Sequence, residues 1–153
     1  MTQPTNSVII LMADDDMDDC LLTKRAMTEA CIINELRFVG DGEELMEYLL
    51  QEGRYVDPES APAPSLILLD LNMPRKDGRE ALQEIKSHPN LQQIPVVVMT
   101  TSREEEDVYR SYNLGANSFI TKPITFDRMV DLMRTLGTYW IEFVELPRSH
   151  RRN

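Results

Sequence analysis

The sequence predicts an open, doubly wound α/β fold: a five-stranded parallel sheet with helices on both faces and an extended C-terminal helix. Three observations carry this. Five short, largely apolar runs, at 8–12, 36–39, 66–69, 96–99 and 118–120, lack the strict alternation of a half-exposed strand. Segments with apolar residues at helical spacing separate them. No internal repeat or low-complexity stretch breaks the alternation, so a parallel sheet joined by helical crossovers follows.

Taken in order, the run at 8–12 ends abruptly in ADDDMDD. Leu21, Leu22, Ala26 and Met27 then place a helix at about 18–30. The second strand, 36–39, is closed by Gly40-Asp41-Gly42, and Leu45, Met46, Leu49 and Leu50 stripe a second helix. Residues 53–64 carry three prolines and one glycine and read as a loop, long for a connection that usually takes about 2–6 residues. It fits a binding loop or a tolerated insertion, and the insertion is the simpler reading because surface loops accept length cheaply. The third strand, 66–69, stops at Asp70, and a helix over 78–87 shows Ala81, Leu82 and Ile85 on one face. The fourth strand, 96–99, runs into Thr100-Thr101-Ser102, and the helix after it begins SREEED, with acids in the first turn where the helix dipole favours them. The fifth strand, 118–120, leads to Thr121-Lys122-Pro123. The last helix starts near Thr125-Phe126-Asp127, with Met129, Val130, Met133 and Leu136 on its apolar face.

At 153 residues, with 42% hydrophobic and 27% charged residues, the chain fits one globular domain. No stretch reaches the roughly 20 apolar residues that span a bilayer, and the first ten residues lack the pattern of a signal peptide, so the cytoplasm is the expected location. Cys20 and Cys31 read as small buried thiols. His88 and His150 lie near no nucleophile. A formal charge of −10 argues against nucleic acid or an anionic membrane as partner, and the basic RSHRRN ending is short enough to be a solvated tail.

In such a sheet, ligands bind beyond the carboxyl ends of the strands. Asp14, Asp15 and Asp16 follow strand 1, Asp70 follows strand 3, Thr100 strand 4 and Lys122 strand 5. Carboxylates this close repel one another, and a hard divalent cation such as Mg²⁺ removes the conflict. Asp70 is then a candidate carboxylate nucleophile toward phosphorus, with Lys122 offsetting charge on the equatorial oxygens. Each piece alone has a plainer explanation. An acid triplet often caps a helix, for which Asp16 and Asp18 are candidates; Lys-Pro is a turn and a Thr after a strand is a cap. Their shared edge of one sheet makes the combination informative.

With these residues placed, the chain resembles the receiver domains of bacterial response regulators, the CheY-like branch of the flavodoxin-like fold. The resemblance covers about 8–137 and rests on Asp14-Asp15, on Leu69-Asp70-Leu71-Asn72-Met73-Pro74 with Asp77-Gly78, on Met99-Thr100-Thr101-Ser102, on Gly115-Ala116 and on Phe119-Ile120-Thr121-Lys122-Pro123. The acidic pair could be registered one residue later, but the apolar spacing before it favours Asp14-Asp15. The resemblance implies that Asp70 is the phosphoacceptor for a sensor histidine kinase. It implies Asp15, Asp70 and the Asn72 carbonyl as direct Mg²⁺ ligands, with Asp14 acting through water. It also implies that Lys122 pairs with the phosphoryl oxygens, that Thr100 swings toward them and that Phe119 turns inward. The face made by the fourth and fifth helices and the fifth strand would then carry the signal. Phe119 keeps an aromatic at the switch position without a Tyr hydroxyl.

On this reading residues 1–7 form a polar leader, 8–146 the receiver with its extended last helix, and 147–153 a short basic tail. Too little follows for a DNA-binding output domain, so a stand-alone phosphoacceptor is expected, not an enzyme. The long loop before strand 3 and the ending Leu136-Gly137-Thr138-Tyr139-Trp140 resemble the small regulators that partner bacterial phytochromes, which implies a light-sensing kinase as donor. Tyr139, Trp140 and Phe143 extend the last helix with large apolar groups and suggest a homodimer surface. Two rivals stand beside this reading. A Mg²⁺-dependent phosphohydrolase needs a second acid where Asn72 stands, and a phosphorylation-independent binding module has no need of the full set Asp14, Asp15, Asp70, Thr100 and Lys122.

Overall fold

Strand β1 (Ile9–Ala13) is buried along its whole length because both of its faces are covered and it has a strand on each side. The computed structural model, which describes residues 9–30, 35–101, 110, 112–123 and 125–138, places it second in a five-stranded sheet of order β2-β1-β3-β4-β5. The others are β2 (Glu35–Val39), β3 (Leu66–Leu69), β4 (Val96–Thr100) and β5 (Ser118–Thr121), and every pairing is parallel. The helices are α1 (Met17–Glu29), α2 (Gly42–Leu50), α3 (Gly78–Ser87) and α4 (Phe126–Leu136). Here α4 is the last of the five helices expected from sequence. The one expected from Ser102, together with Cys31, Tyr139, Trp140, Phe143, the leader and the tail, lies outside the described residues.

Strand side chains divide between two cores by the period-2 rule. Leu11, Ala13, Ile67, Leu69, Val96 and Val98 face α2 and α3, while Ile10, Met12, Leu66, Leu68, Val97 and Met99 face α1 and α4. The sheet is therefore doubly wound, as the unalternating strands predict. The sequence order reverses between β1 and β3, and at such a switch point the loops leaving the two strands part and open a crevice.

The loop over 53–64 holds two short 3₁₀ turns, Gly53–Tyr55 and Pro58–Ser60. It is tied to α2 and β2: Tyr55 meets Tyr48 edge-on with ring centroids 5.1 Å apart, the Tyr48 hydroxyl donates to the Pro62 carbonyl at 2.7 Å, and Arg37 donates to the Ser60 carbonyl. Because it leads into the amino end of β3, it lies away from the crevice at the carboxyl ends, which favours the insertion over a binding loop at the site.

Candidate functional site at the carboxyl ends of β1, β3, β4 and β5

Four strands deliver the site. Parallel pairing of β1 with β3 sets Ala13 beside Leu69, so the next residues, Asp14 and Asp70, leave the sheet side by side. The Asp70 N–H donates to the Ala13 carbonyl at 3.0 Å and the Asp14 N–H to the Val39 carbonyl at 3.0 Å, which extends both ladders one step to the acids. Thr100 ends β4, and its carbonyl accepts the Lys122 N–H at 2.8 Å, fixing the lysine just past β5. Asp14, Asp70, Thr100 and Lys122 are all buried, whereas Asp15 is exposed.

The carboxylate of Asp70 is fully engaged. Its Oδ1 accepts from the Asn72 N–H and from the Thr100 hydroxyl, each at 3.0 Å, and its Oδ2 accepts from Lys122 Nζ at 3.0 Å. Asn72 Nδ2 donates to Thr100 Oγ1 at 3.4 Å, closing a small ring of polar groups around the acid. Lys122 Nζ also lies 2.6 Å from Asp14 Oδ2 and 2.7 Å from Asp19 Oδ2. Burial acts to lower the lysine's pKa, but the three carboxylates around it, Asp14, Asp19 and Asp70, reverse the balance and raise it. Lys122 is therefore charged. Asp14 is pushed up to about 6, first by burial, with Lys122 and the Asp16 N–H pulling the other way.

Asp14, Asp15 and Asp70 each present an oxygen within 4.8 Å of the others. Asp14 Oδ2 is buried and ion-paired with Lys122 Nζ at 2.6 Å, and among the described residues no donor meets it in hydrogen-bonding geometry. Three converging carboxylates form a hard, oxygen-only donor set, which suits a divalent cation such as Mg²⁺, Mn²⁺ or Ca²⁺. Nearby, the Asp16 carboxylate caps α1, accepting from the Asp18 and Asp19 N–H groups at 2.9 and 3.4 Å, while its own N–H donates to Asp14 Oδ1 at 2.9 Å. Asp16 is thus the helix cap, and Asp18 is not.

All six residues expected at the site (Asp14, Asp15, Asp70, Asn72, Thr100 and Lys122) meet there. Phe119, one residue into β5, is half-buried against the α2–α3 core, and its N–H donates to the Tyr112 hydroxyl at 3.1 Å. Sequence reasoning missed Asp19, whose carboxylate holds Lys122; its spacing of four from Asp15 was the only local hint. It also missed the support under the β3–α3 loop. Arg75 Nη1 donates to the buried Asp41 carboxylate at 2.8 Å, and that carboxylate also caps α2 through the Glu44 N–H. Cys20 is buried beneath Asp14, its Sγ 3.8 Å from the Asp14 carbonyl, and burial followed by the charges of Asp14 and Asp19 pushes the thiol up to about 12. It is inert packing, as expected for that residue.

This fold and this constellation define a phosphoacceptor-type signalling module, and the chain belongs to the response regulator receiver domain family, whose model matches residues 10–134. Among its relatives, response regulator Rcp1 of Synechocystis is 42% identical over 139 residues, spanning 91% of this chain and 92% of that protein. The crystal structure of Rcp1 in its Mn²⁺-bound form superposes with a TM-score of 0.82 at 42% identity over 92% of this chain and 99% of that one. The phosphorylated cyanobacterial phytochrome response regulator RcpA gives 0.85 at 41% identity, with coverage of 92% and 99%. Response regulator RPA3017, from red light signalling in R. palustris, gives 0.86 at 32% identity, with coverage of 92% and 98%. Receiver domains accept phosphoryl groups from histidine kinases, and the acid cluster of this chain is built for a divalent cation. No helix among the described residues is long and apolar enough to cross a membrane.

Proposed function

We propose that this chain is a receiver in which Asp70 takes a phosphoryl group from a phosphohistidine on a sensor kinase. The observation that carries this is Asp70 itself. It is a buried carboxylate at the crevice, with one oxygen held by Asn72 and Thr100 and the other by Lys122, beside Asp14 and Asp15. An oxygen of Asp70 attacks phosphorus in line with the P–N bond. That bond breaks, its electron pair returns to the imidazole of the kinase, and an acyl phosphate remains on Asp70. Asp15, Asp70 and the Asn72 carbonyl, with Asp14 acting through water, would hold Mg²⁺, which would neutralise the carboxylates and the phosphoryl oxygens. Lys122 follows the new anionic group. The Thr100 hydroxyl, already on Asp70 Oδ1, re-aims to a phosphoryl oxygen, and Phe119 fills the space vacated, which changes the face beside β5.

The donor fitting the relatives' light-signalling context is a bacterial phytochrome kinase, and the partner fitting the apolar ending at Tyr139, Trp140 and Phe143 is a second copy of the chain. The receiver works in the cytoplasm, without nucleic acid or membrane, and turns over no exogenous substrate. Asn72 stands where a phosphohydrolase needs its second acid, and its amide donates to Thr100 instead.

Phosphotransfer from an autophosphorylated, radiolabelled phytochrome kinase tests the reading. Label is expected to pass to the wild-type chain and not to Asp70→Asn. Equal labelling of the variant contradicts Asp70 as acceptor, and equally fast transfer from an unrelated kinase contradicts the phytochrome assignment alone.

A further inference from the structure

Lys122 is shared among more acids than the phosphoacceptor chemistry requires, and the extra one is Asp19. The ammonium donates to Asp19 Oδ2 at 2.7 Å and Asp70 Oδ2 at 3.0 Å, and it lies 2.6 Å from Asp14 Oδ2 as an ion pair. Asp14 and Asp70 belong to the cation-binding cluster; Asp19 does not. The Asp19 side chain is also the most accessible of the three, 31% exposed against 1% for Asp14 and 9% for Asp70. Its backbone is fixed in the first turn of α1: the N–H points to Asp16 Oδ1, and the carbonyl accepts the Thr23 hydroxyl at 2.8 Å. The carboxylate alone is left to choose between Lys122 and water.

From this we infer that Asp19 is a holding residue for Lys122. It keeps the ammonium engaged in the resting protein and competes with the phosphoryl oxygens for it during phosphotransfer. The inference rests on Asp70 being the phosphoacceptor. When a phosphoryl group reaches Asp70, an ammonium N–H must serve a new oxygen. Asp14 is committed to the cation, and Asp70 carries the phosphoryl group. The bond to Asp19 is the one that must open or be shared, and the half-wet carboxylate is readily hydrated once released. Asp19 therefore slows phosphorylation by the strength of one partly exposed ion pair.

The test is the rate of phosphorylation of the full chain by acetyl phosphate at saturating Mg²⁺, comparing wild type with Asp19→Asn, Asp19→Glu and Asp18→Asn. Asp19→Asn is expected to react about two- to fivefold faster, the range a partly exposed ion pair supports. Asp19→Glu, which keeps the charge, is expected to return toward the wild-type rate. Asp18→Asn removes the same charge one residue earlier, at an acid outside the set that holds Lys122, and is expected to match wild type. An unchanged or slower Asp19→Asn overturns the holding role. So does an Asp18→Asn that accelerates equally, because long-range charge would then suffice. A wild-type chain that takes no phosphoryl group removes the phosphoacceptor reading and this inference together, whereas a phosphorylated wild type with an unresponsive Asp19→Asn removes only the latter.

Discussion

Asp14 stands under opposing influences: burial penalises its charge, while Lys122 and the Asp16 N–H favour it, and burial wins. Its pKa rises from 3.8 to about 6, so the folded chain holds this proton more tightly than the unfolded chain does. Between about pH 4 and pH 6 the unfolded carboxylate is ionised and the folded one is not. For this group, stability of the metal-free protein therefore falls as pH rises through that window. A cation reverses the sign because it needs the ionised form. Calorimetric titration with Mn²⁺ is expected to show affinity weakening as pH drops below 6, with protons released on binding at pH 5.5. Flat affinity from pH 5 to 8 contradicts Asp14 as part of the cation site. The acids, Thr100 and Lys122 were legible in sequence because each follows an apolar run, and strand ends converge by construction in a parallel sheet. Asp19 was not legible. Its partner lies 103 residues away, and locally it looks like one more acid in a helix's first turn, where the dipole alone explains it.

At the scale of elements, the strand-to-helix turns hold the chemistry, and their glycines are the tightest points. A Cβ on Gly78 would sit 2.3 Å from the Asp70 carbonyl oxygen and 2.6 Å from Leu71 Cα, both backbone atoms of the loop that positions Asp70 and Asn72. Gly78→Ala must push that loop away. It is expected to lower unfolding free energy by at least about 2 kcal/mol in urea titrations and to weaken Mn²⁺ binding in parallel. A neutral substitution contradicts the tight turn. Arg75 takes φ +66° in the same loop, a left-handed conformation unusual for a long side chain, and its guanidinium reaches the Asp41 carboxylate at the α2 cap. The strand expected at 66–69 and the helix expected at about 78–87 coincide with β3 and α3: Leu66–Leu69 is bounded by Asp70, and the structure adds that the Asp77 carboxylate caps α3 through the Arg79 N–H. Elsewhere ends moved by one: β1 reaches Ala13 because Ala13 pairs with both Val39 and Leu69, and β5 gains Thr121 through Thr100. Those extensions are set by partner strands, which local pattern cannot show. Similarly, α1 begins at Met17, an exposed residue that hydrophobic spacing passes over, because Asp16 caps it.

For the whole molecule, the family membership, the 2-1-3-4-5 sheet and the switch-point crevice agree: one sheet edge gathers the acids, hydroxyl and ammonium from four strands. The homodimer proposed through the chain's ending is checked by sedimentation velocity. Trp140→Ala with Phe143→Ala is expected to sediment as a monomer where wild type is a dimer, and an unchanged dimer mass contradicts that surface. The most direct measurement is intact-mass spectrometry after incubation with Mg²⁺ and a small acyl-phosphate donor. One added phosphoryl group is expected on the wild-type chain, absent from Asp70→Asn and abolished by chelating the metal. A chain that gains no mass, or an Asp70→Asn variant that gains it all the same, contradicts Asp70 as the acceptor around which the site is built.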